Sequence, residues 1–344
     1  MIARIPWSVK FIDSMNVGIR SLHGMYAPSA AIMRRGFCSD KSDNGGLPLS
    51  AKGWHLVIVT RMSALQPDAW RFAMTVRIEK DGAVWTVIHD RPEARNAMDP
   101  KSADELTAAF LDFDADKNAS VAVFYGAGGA FCAGWDLKYV STLNASYPLG
   151  ELDIPPLGPQ GNGAEIPRGP LGPSRLELDK PVIAAIEGPA VAGGMELGLW
   201  CDFRVMAKES YFGVYCRRWG VPLIDGGTVR LPRIVGQGRA LEIILTGRKV
   251  PAEDCLNIGL CEYITPKGGA RAKAEELAQE IARFPQVCVR ADRRSAIKSH
   301  GLTVREALIQ EWYNGREALI EDGVAGATHF KDGLGRHGDF AKIR

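Results

Sequence analysis

The sequence predicts an α/β fold in which short buried strands alternate with glycine turns and helices. Two apolar runs, at 121–125 and 181–186, each lead into glycines and then into a helical pattern. A third run, at 84–88, follows Asp81-Gly82, and residues 76–79 alternate in polarity before it. Asp-Gly between two such runs is typical of a β-hairpin. Uninterrupted apolar strands are typical of a sheet covered on both faces.

The helices are predicted from capping residues and from apolar periodicity. Asp99 before Pro100 predicts a helix start, because aspartate caps free N–H groups and proline fits the first turn. Helical patterns return at 272–282 and 304–320. Between residues 143 and 173, seven prolines and six glycines leave no room for a helix. A loop of this length is usually functional or disordered.

Composition excludes several classes of protein. The chain has 344 residues, is 46% hydrophobic and carries a formal net charge of +2, so a general nucleic-acid binder is not expected. No apolar run reaches the ~20 residues that span a bilayer. The seven cysteines are scattered and the six histidines lack metal-ligand spacing. We therefore expect a reduced, metal-free protein.

The first 39 residues differ from the rest of the chain. They contain five basic residues, one acid and five serines, a composition typical of a mitochondrial transit peptide. The run 34–39 resembles a matrix-processing site, which predicts a mitochondrial matrix protein. The alternative is a start codon set too far upstream, with Met74 opening the first clear pattern. Residues 40–73 form a linker and an apolar piece without an assignment.

Two glycine-rich segments, 126–137 and 186–197, are the candidates for chemistry. In each, a buried strand runs into a turn where the backbone can approach a ligand closely. The second turn leads directly into a helix, whose free N–H groups favour negative charge. Two such turns side by side would aim two backbone N–H groups at one point, as in an oxyanion hole. Taken alone, most glycine-rich turns of this kind are only tight turns.

These segments resemble the crotonase (enoyl-CoA hydratase/isomerase) superfamily. FCAG-x-DL at 131–137 resembles its first oxyanion loop, and AGG-x-EL at 192–197 its second. Further motifs follow in the family's order from 212 to 260, and the resemblance spans about 74–340. It implies a ClpP/crotonase-like spiral of ββα units over 74–267. It also implies a C-terminal helical region over 268–344 that packs homotrimers, often paired into hexamers.

The resemblance implies an acyl-CoA thioester as substrate, with coenzyme A entering as part of it and no separate cofactor. The thioester oxygen would lie between the backbone N–H groups of Trp135 and Gly193. An alanine is usual in the family where this chain has Trp135, so the indole should change which acyl chains fit. Arg95 or Lys138 could contact a CoA phosphate or remain solvated. The residues implied in substrate binding are Ala94, Arg95, Ala97, Ala133, Asp136, Leu137, Lys138, Gly194 and Cys216.

The catalytic carboxylates only partly follow the family pattern. Hydratases of the family use two glutamates, and Glu196 occupies the place of one of them. The other place is taken by Cys216, whose thiol is a poor substitute for water activation and is expected to line the pocket. Asp225, directly before Gly226-Gly227, offers a replacement, as in naphthoate synthases. The alternative is that Asp225 caps the helix that starts near Gly227.

Three functions follow from this pattern. The first is a trans-2-enoyl-CoA hydratase in which Glu196 and Asp225 share the proton transfers. The second is an enoyl-CoA delta-isomerase, which needs one carboxylate and no activated water. The third is a non-catalytic subunit of a mitochondrial assembly, or an RNA-binding relative. The oxyanion glycines and Glu196 argue against a dead site, and the near-neutral charge argues against RNA.

If residues 1–39 are a transit peptide, the protein purified from its native source should begin near Ser39 or Asp40. Intact-mass measurement and N-terminal sequencing would locate the first residue. A chain that begins at Met1 or at Met74 would contradict the prediction.

Overall fold

The computed structural model describes residues 74–144, 146, 152–155 and 166–338. The predicted transit peptide, the 40–73 linker and much of the 143–173 segment lie outside these residues. The described end of that segment contains a three-residue 3-10 helix, Pro173–Arg175, where no helix was expected.

Nine strands form two sheets in the described residues. They are β1 (Val76–Asp81), β2 (Val84–His89), β3 (Val121–Gly126), β4 (Val182–Ile186), β5 (Pro189–Val191), β6 (Phe203–Ala207), β7 (Tyr211–Gly213), β8 (Lys249–Pro251) and β9 (Tyr263–Thr265). The larger sheet has the order β1-β2-β3-β4-β6-β9, and the smaller has the order β5-β7-β8. The β1–β2 pair is antiparallel, which confirms the predicted Asp81-Gly82 hairpin, while β2, β3, β4, β6 and β9 run parallel.

Ten α-helices accompany the strands in the described part of the chain. They are α1 (Pro100–Ala115), α2 (Leu137–Val140), α3 (Gly193–Trp200), α4 (Gly227–Val235), α5 (Gln237–Thr246), α6 (Ala252–Asn257), α7 (Ala270–Ala282), α8 (Gln286–Lys298), α9 (Val304–Ala318) and α10 (Val324–Lys331). Asp99 caps α1 as predicted, since its side chain accepts a hydrogen bond from the Ser102 N–H. No described helix has the length and apolar character that a membrane crossing requires.

The larger sheet is buried on both faces. On one face, Phe110 and Phe113 of α1 pack with Trp85 and Phe124 of the strands. On the other face, residues of β2, β3, β4 and β6 pack against α7. This two-sided burial is the physical reason for strands without polar alternation. It also shows that α7, expected in a C-terminal helical region, covers the sheet.

The remaining C-terminal helices leave apolar side chains exposed. Only Ala291 of α8 and Ala318 of α9 are buried in these two helices. The exposed apolar residues of α9 and α10 include Leu308, Trp312 and Phe330. Helix α8 was not predicted, because its sequence is mostly polar and contains few large apolar residues.

Candidate active site

The two glycine turns lie side by side because the chain segments that carry them pair with each other. Cys132 forms a parallel bridge with Ala190. The Phe131 N–H donates to the Pro189 oxygen at 3.0 Å, and the Val191 N–H donates to the Cys132 oxygen at 3.0 Å. These bonds fix the first turn against the start of α3.

Glycine is required where the two turns touch. Gly134 has a φ of +88°, and a Cβ built there would lie 3.0 Å from the Gly193 nitrogen and 2.8 Å from the Ala192 Cβ. A side chain at this position would therefore push the turns apart. Ala192 itself has a φ of +54°, a strained value for a residue with a Cβ.

The backbone N–H groups of Trp135 and Gly193 have no acceptor among the described residues. Both residues line the same cavity, whose volume is about 680 Å³. Donors that have no protein partner and belong to residues lining one cavity are available to an acceptor atom of a ligand. The structure brings together the two donors that the sequence suggested, and their oxyanion role stays a prediction.

Gly194 does not belong to the lining of this cavity, although substrate binding was expected of it. A Cβ at Gly194 would lie 2.0 Å from the Cys132 oxygen. Its lack of a side chain serves the close contact between the two turns and is a structural requirement. The substrate contact expected of Gly194 stays a prediction.

Glu196 lies in the first turn of α3 and is 2% exposed. Its Oε1 accepts hydrogen bonds from the backbone N–H groups of Asp225, at 3.0 Å, and of Gly227, at 2.8 Å. Burial, followed by the nearby Asp225 charge, raises the pKa of Glu196 to about 8. The carboxyl group is therefore mostly protonated at pH 7.

Asp225 is 3% exposed and lines the same cavity. Its Oδ1 accepts hydrogen bonds from the Leu171 N–H, at 3.1 Å, and from the Ser174 hydroxyl. Burial raises the pKa of Asp225, while these two donors act in the opposite direction. The alternative role as a helix cap is wrong, because α4 begins after Gly226 without any side-chain cap.

Arg230 braces the backbone around Asp225. Its Nη1 donates to the Asp225 carbonyl at 3.0 Å, and its Nη2 donates to the Ser174 carbonyl at 2.8 Å. The guanidinium thus joins α4 to the 3-10 helix at Pro173–Arg175. No role was assigned to Arg230 from the sequence. Its partner Ser174 lies 56 residues away, and no local signal indicates such a contact.

Cys216 lies in a 3-10 helix, Tyr215–Trp219, and contributes to the cavity wall. Burial and the charge of Glu196 raise the pKa of its thiol. The thiol therefore stays protonated near neutral pH and is a weak nucleophile. This environment agrees with the wall position expected from the sequence.

A buried asparagine that sequence reasoning missed holds the segment 91–97, most of which lines the cavity. Asn96 has a φ of +55° and is fully buried. Its side-chain nitrogen donates to the carbonyl oxygens of Ala127, at 2.8 Å, and Ala130, at 2.7 Å, while its oxygen accepts from the Arg91 N–H at 2.8 Å. These bonds fasten the segment before α1 to the first glycine turn. Asparagine tolerates the left-handed conformation better than most residues, which was the available signal.

The other predicted binding residues line the cavity, including its mouth, where Leu137 and Lys138 are exposed. They are Ala94, Arg95, Ala97, Ala133, Asp136, Leu137 and Lys138, and the structure adds Arg91, Tyr211, Tyr215, Arg218 and Trp219. The Asp136 carboxylate is already paired, since it contacts Arg91 Nη2 at 2.9 Å and accepts from the Lys138 N–H at 2.9 Å. Asp136 therefore shapes the mouth by holding Arg91.

Comparisons with known proteins agree with this geometry. The chain matches the family model described as enoyl-CoA hydratase/isomerase over residues 79–149 and 174–315. It is 32% identical to enoyl-CoA hydratase EchA19 of Mycobacterium tuberculosis, over 71% of this chain and 88% of that protein. It is 31% identical to a carnitinyl-CoA dehydratase of Escherichia coli, over 76% of this chain and 92% of that protein.

Solved structures give the same result for the fold. The crystal structure of an enoyl-CoA hydratase from Mycobacterium tuberculosis H37Rv aligns with a TM-score of 0.66 and 30% identity, covering 75% of this chain and 96% of that chain. An enoyl-CoA hydratase from Mycobacterium marinum aligns equally well. These likenesses confirm the predicted crotonase fold.

Gly193→Pro should reduce turnover of crotonyl-CoA by ~100-fold or more, because proline removes one of the two free donors. Gly193→Ala keeps the donor, but its Cβ would lie 2.0 Å from Leu171 Cδ1 and should also reduce turnover. Steady-state kinetics on variants with a wild-type circular dichroism spectrum would measure both effects.

Gly238→Ala is the matched control, since a Cβ at this position of α5 meets no atom within 4 Å. Its turnover should equal that of the wild type. A folded Gly193→Pro variant with normal turnover would contradict the donor assignment.

Proposed function

The chain belongs to the enoyl-CoA hydratase/isomerase family, and from that premise we propose that it is a trans-2-enoyl-CoA hydratase. The observation that carries this proposal is the meeting of two carboxyl groups, Glu196 and Asp225, with two free backbone donors in one cavity. Hydration needs a proton acceptor for water, a proton donor for carbon and stabilisation of an enolate. The cavity contains a group for each task.

The backbone donors account for the enolate. Attack of water at C3 moves negative charge onto the thioester oxygen, where the N–H groups of Trp135 and Gly193 can stabilise it. Removal of one such donor typically costs ~3–4 kcal/mol of transition-state stabilisation. A bound substrate that displaces water from the cavity would strengthen this effect, because charge interactions weaken in water.

The two carboxyl groups divide the proton transfers. Asp225 starts ionised and takes a proton from water as the oxygen bonds to C3. Glu196 starts protonated, consistent with its pKa of about 8, and gives its proton to C2 as the enolate collapses. The net change is addition of H to C2 and OH to C3. A proton exchange between the two groups and solvent restores the starting state.

An enoyl-CoA delta-isomerase is the second candidate, and Cys216 is the observation that favours it. With Cys216 in place of the usual second glutamate, Glu196 could shuttle one proton between C2 and C4 without activated water. The inward position of Asp225 supports hydration instead. A non-catalytic role is less consistent with two free donors and two buried carboxyl groups.

We also propose that the substrate is an acyl-CoA thioester that takes part without a separate cofactor or metal, in a mitochondrial matrix homotrimer or dimer of trimers. The relatives named as enoyl-CoA hydratase and carnitinyl-CoA dehydratase support a CoA thioester. Exposed apolar side chains on α9 and α10 support self-association. The basic, serine-rich segment 1–39 supports the location.

The pH dependence of hydration should show an alkaline limb near pH 8. Glu196 must hold a proton to protonate C2, so kcat/KM should fall as pH rises through about 8. Rates would be measured from pH 5 to 9.5 with enzyme-free controls for thioester hydrolysis. Glu196→Gln cannot titrate, and its residual activity should lack this limb. Persistence of the limb in that variant would contradict the assignment.

Asp225→Asn should remove hydration by ~10²–10⁴-fold with little change in acyl-CoA affinity, since the amide keeps the shape but cannot accept the proton. Glu196→Gln should reduce the rate of hydration by a comparable factor. The double variant should lose little more, because residues acting as a unit are non-additive. Products of crotonyl-CoA and of 3-enoyl-CoA isomers would be identified by mass spectrometry and chromatography.

Cys216→Ser serves as the comparison. Its thiol is assigned only to the cavity wall, so the substitution should reduce hydration only slightly. Normal hydration by Asp225→Asn, together with an inactive Cys216→Ser, would contradict both assignments. The isomerase would be established instead if Asp225→Asn is fully active, Glu196→Gln is inactive, and the product has an unchanged mass with a moved double bond.

A further inference from the structure

A short segment from the end of the proline- and glycine-rich stretch contacts Asp225 directly. The Ser174 hydroxyl donates to Asp225 Oδ1, and the Leu171 N–H donates to the same oxygen at 3.1 Å. Asp225 Oδ2 accepts no hydrogen bond from the described residues. One oxygen is thus held by two donors, while the other is available to the cavity that Asp225 lines.

The segment has a compact backbone that presents both donors. Gly169 and Gly172 exchange two hydrogen bonds of 2.9 Å, which close a tight loop around Leu171. Gly172 has a φ of +79°, and a Cβ there would lie 2.6 Å from the Ala103 oxygen of α1. A Cβ on Gly169 would lie 1.8 Å from Ser174 Oγ and 2.6 Å from Asp225 Oδ1. Glycine at both positions therefore permits the contact with the carboxylate.

The surroundings leave Ser174 little freedom to move. Ser174 is 1% exposed, and its carbonyl oxygen accepts from Arg230 Nη2 at 2.8 Å. The same guanidinium holds the Asp225 carbonyl at 3.0 Å. Arg230 therefore holds the backbone of both residues, Ser174 and Asp225, that form the hydroxyl–carboxylate hydrogen bond. Such a bond stabilises one orientation of the carboxylate.

The family match is interrupted where this segment lies. It covers 79–149 and resumes at 174, so Gly169, Leu171 and Gly172 lie outside it. The Leu171 donor to Asp225 therefore comes from a part of this chain that the family pattern does not describe. This part of the chain is in direct contact with Asp225.

We propose that Ser174 is a positioning residue for Asp225, which with the Leu171 N–H turns one carboxylate oxygen toward the substrate and favours its ionised form. This inference rests on the proposed function, because it assigns Asp225 the task of accepting the proton from water. Hydrogen bonds to the charged form of a carboxyl group lower its pKa. Without the hydroxyl, the deeply buried group would hold its proton to higher pH and would orient less well.

The test compares Ser174→Ala with Ser102→Ala in the full chain. Ser102 is also a fully buried serine, but its hydroxyl has no partner in the described structure. Ser174→Ala should lower kcat for crotonyl-CoA hydration ~10- to 100-fold, as expected for loss of one hydrogen bond to a charged group. KM should change little, and the acidic limb of the kcat/KM profile should move to higher pH. Ser102→Ala should match the wild type in all three quantities.

A background variant separates this inference from the proposed function. In Asp225→Asn, adding Ser174→Ala should cause no further loss, because the carboxylate that the hydroxyl holds is absent. Should Ser174→Ala not fold, Ser174→Cys keeps the side-chain shape with a weaker donor, and a smaller shift of the same limb is expected.

Each outcome decides one of the two proposals. If Asp225→Asn is inactive but Ser174→Ala behaves like Ser102→Ala, the positioning role is overturned and the hydratase mechanism stands. The inference is overturned if Ser174→Ala lowers kcat without moving the acidic limb. It is also overturned if Ser174→Ala lowers kcat by the same factor in the Asp225→Asn background as in the wild type, because Ser174 then acts by another route. If Asp225→Asn hydrates normally, Asp225 is not the proton acceptor and the positioning role of Ser174 fails with that assignment. If the wild-type protein adds no water to crotonyl-CoA, the proposed function itself fails.

Discussion

One oxygen of the Glu196 carboxyl group accepts hydrogen bonds from two backbone N–H groups, and the geometry of the site depends on this contact. Helix α3 begins at Gly193, one turn before Glu196, and α4 begins at Gly227. The bonds from Asp225 and Gly227 therefore fix a free backbone donor and a second carboxyl group relative to each other. Loss of these partners would leave a buried polar group unsatisfied, which costs ~1–3 kcal/mol or more.

Unequal surroundings give the two acidic groups different chemistry. Both are almost fully buried, and burial alone would favour the neutral form of each. Asp225 has a hydroxyl donor in addition to a backbone donor, whereas Glu196 also experiences the charge of Asp225. Glu196, whose pKa is raised to about 8, is therefore the group that favours its protonated form near neutral pH. Separation of two titratable groups by their environments is a general means of obtaining an acid and a base from similar side chains.

Much of the fold and the inner site could be predicted, because their signals are local. The Asp81-Gly82 hairpin, the Asp99 cap and the buried strands follow from turn chemistry, capping and polarity. The glycine turns and Glu196 were found through motifs. Asn96, Ser174 and Arg230 were assigned no role, because each makes a defining contact with a residue 31 to 56 positions away in the sequence. A glycine in such a motif can also meet a packing requirement, as Gly194 does against the Cys132 oxygen.

The long-range bonds of the site also set when it can form during biosynthesis. Glu196 leaves the ribosome before the two N–H groups that hold it, which follow 29 and 31 residues later. A carboxyl group without partners resists burial. Glu196 can therefore be buried with both of its hydrogen bonds only after Gly227 has been made. Closing such loops costs entropy before the contacts stabilise them. The inner site is therefore completed only after synthesis has passed Gly227.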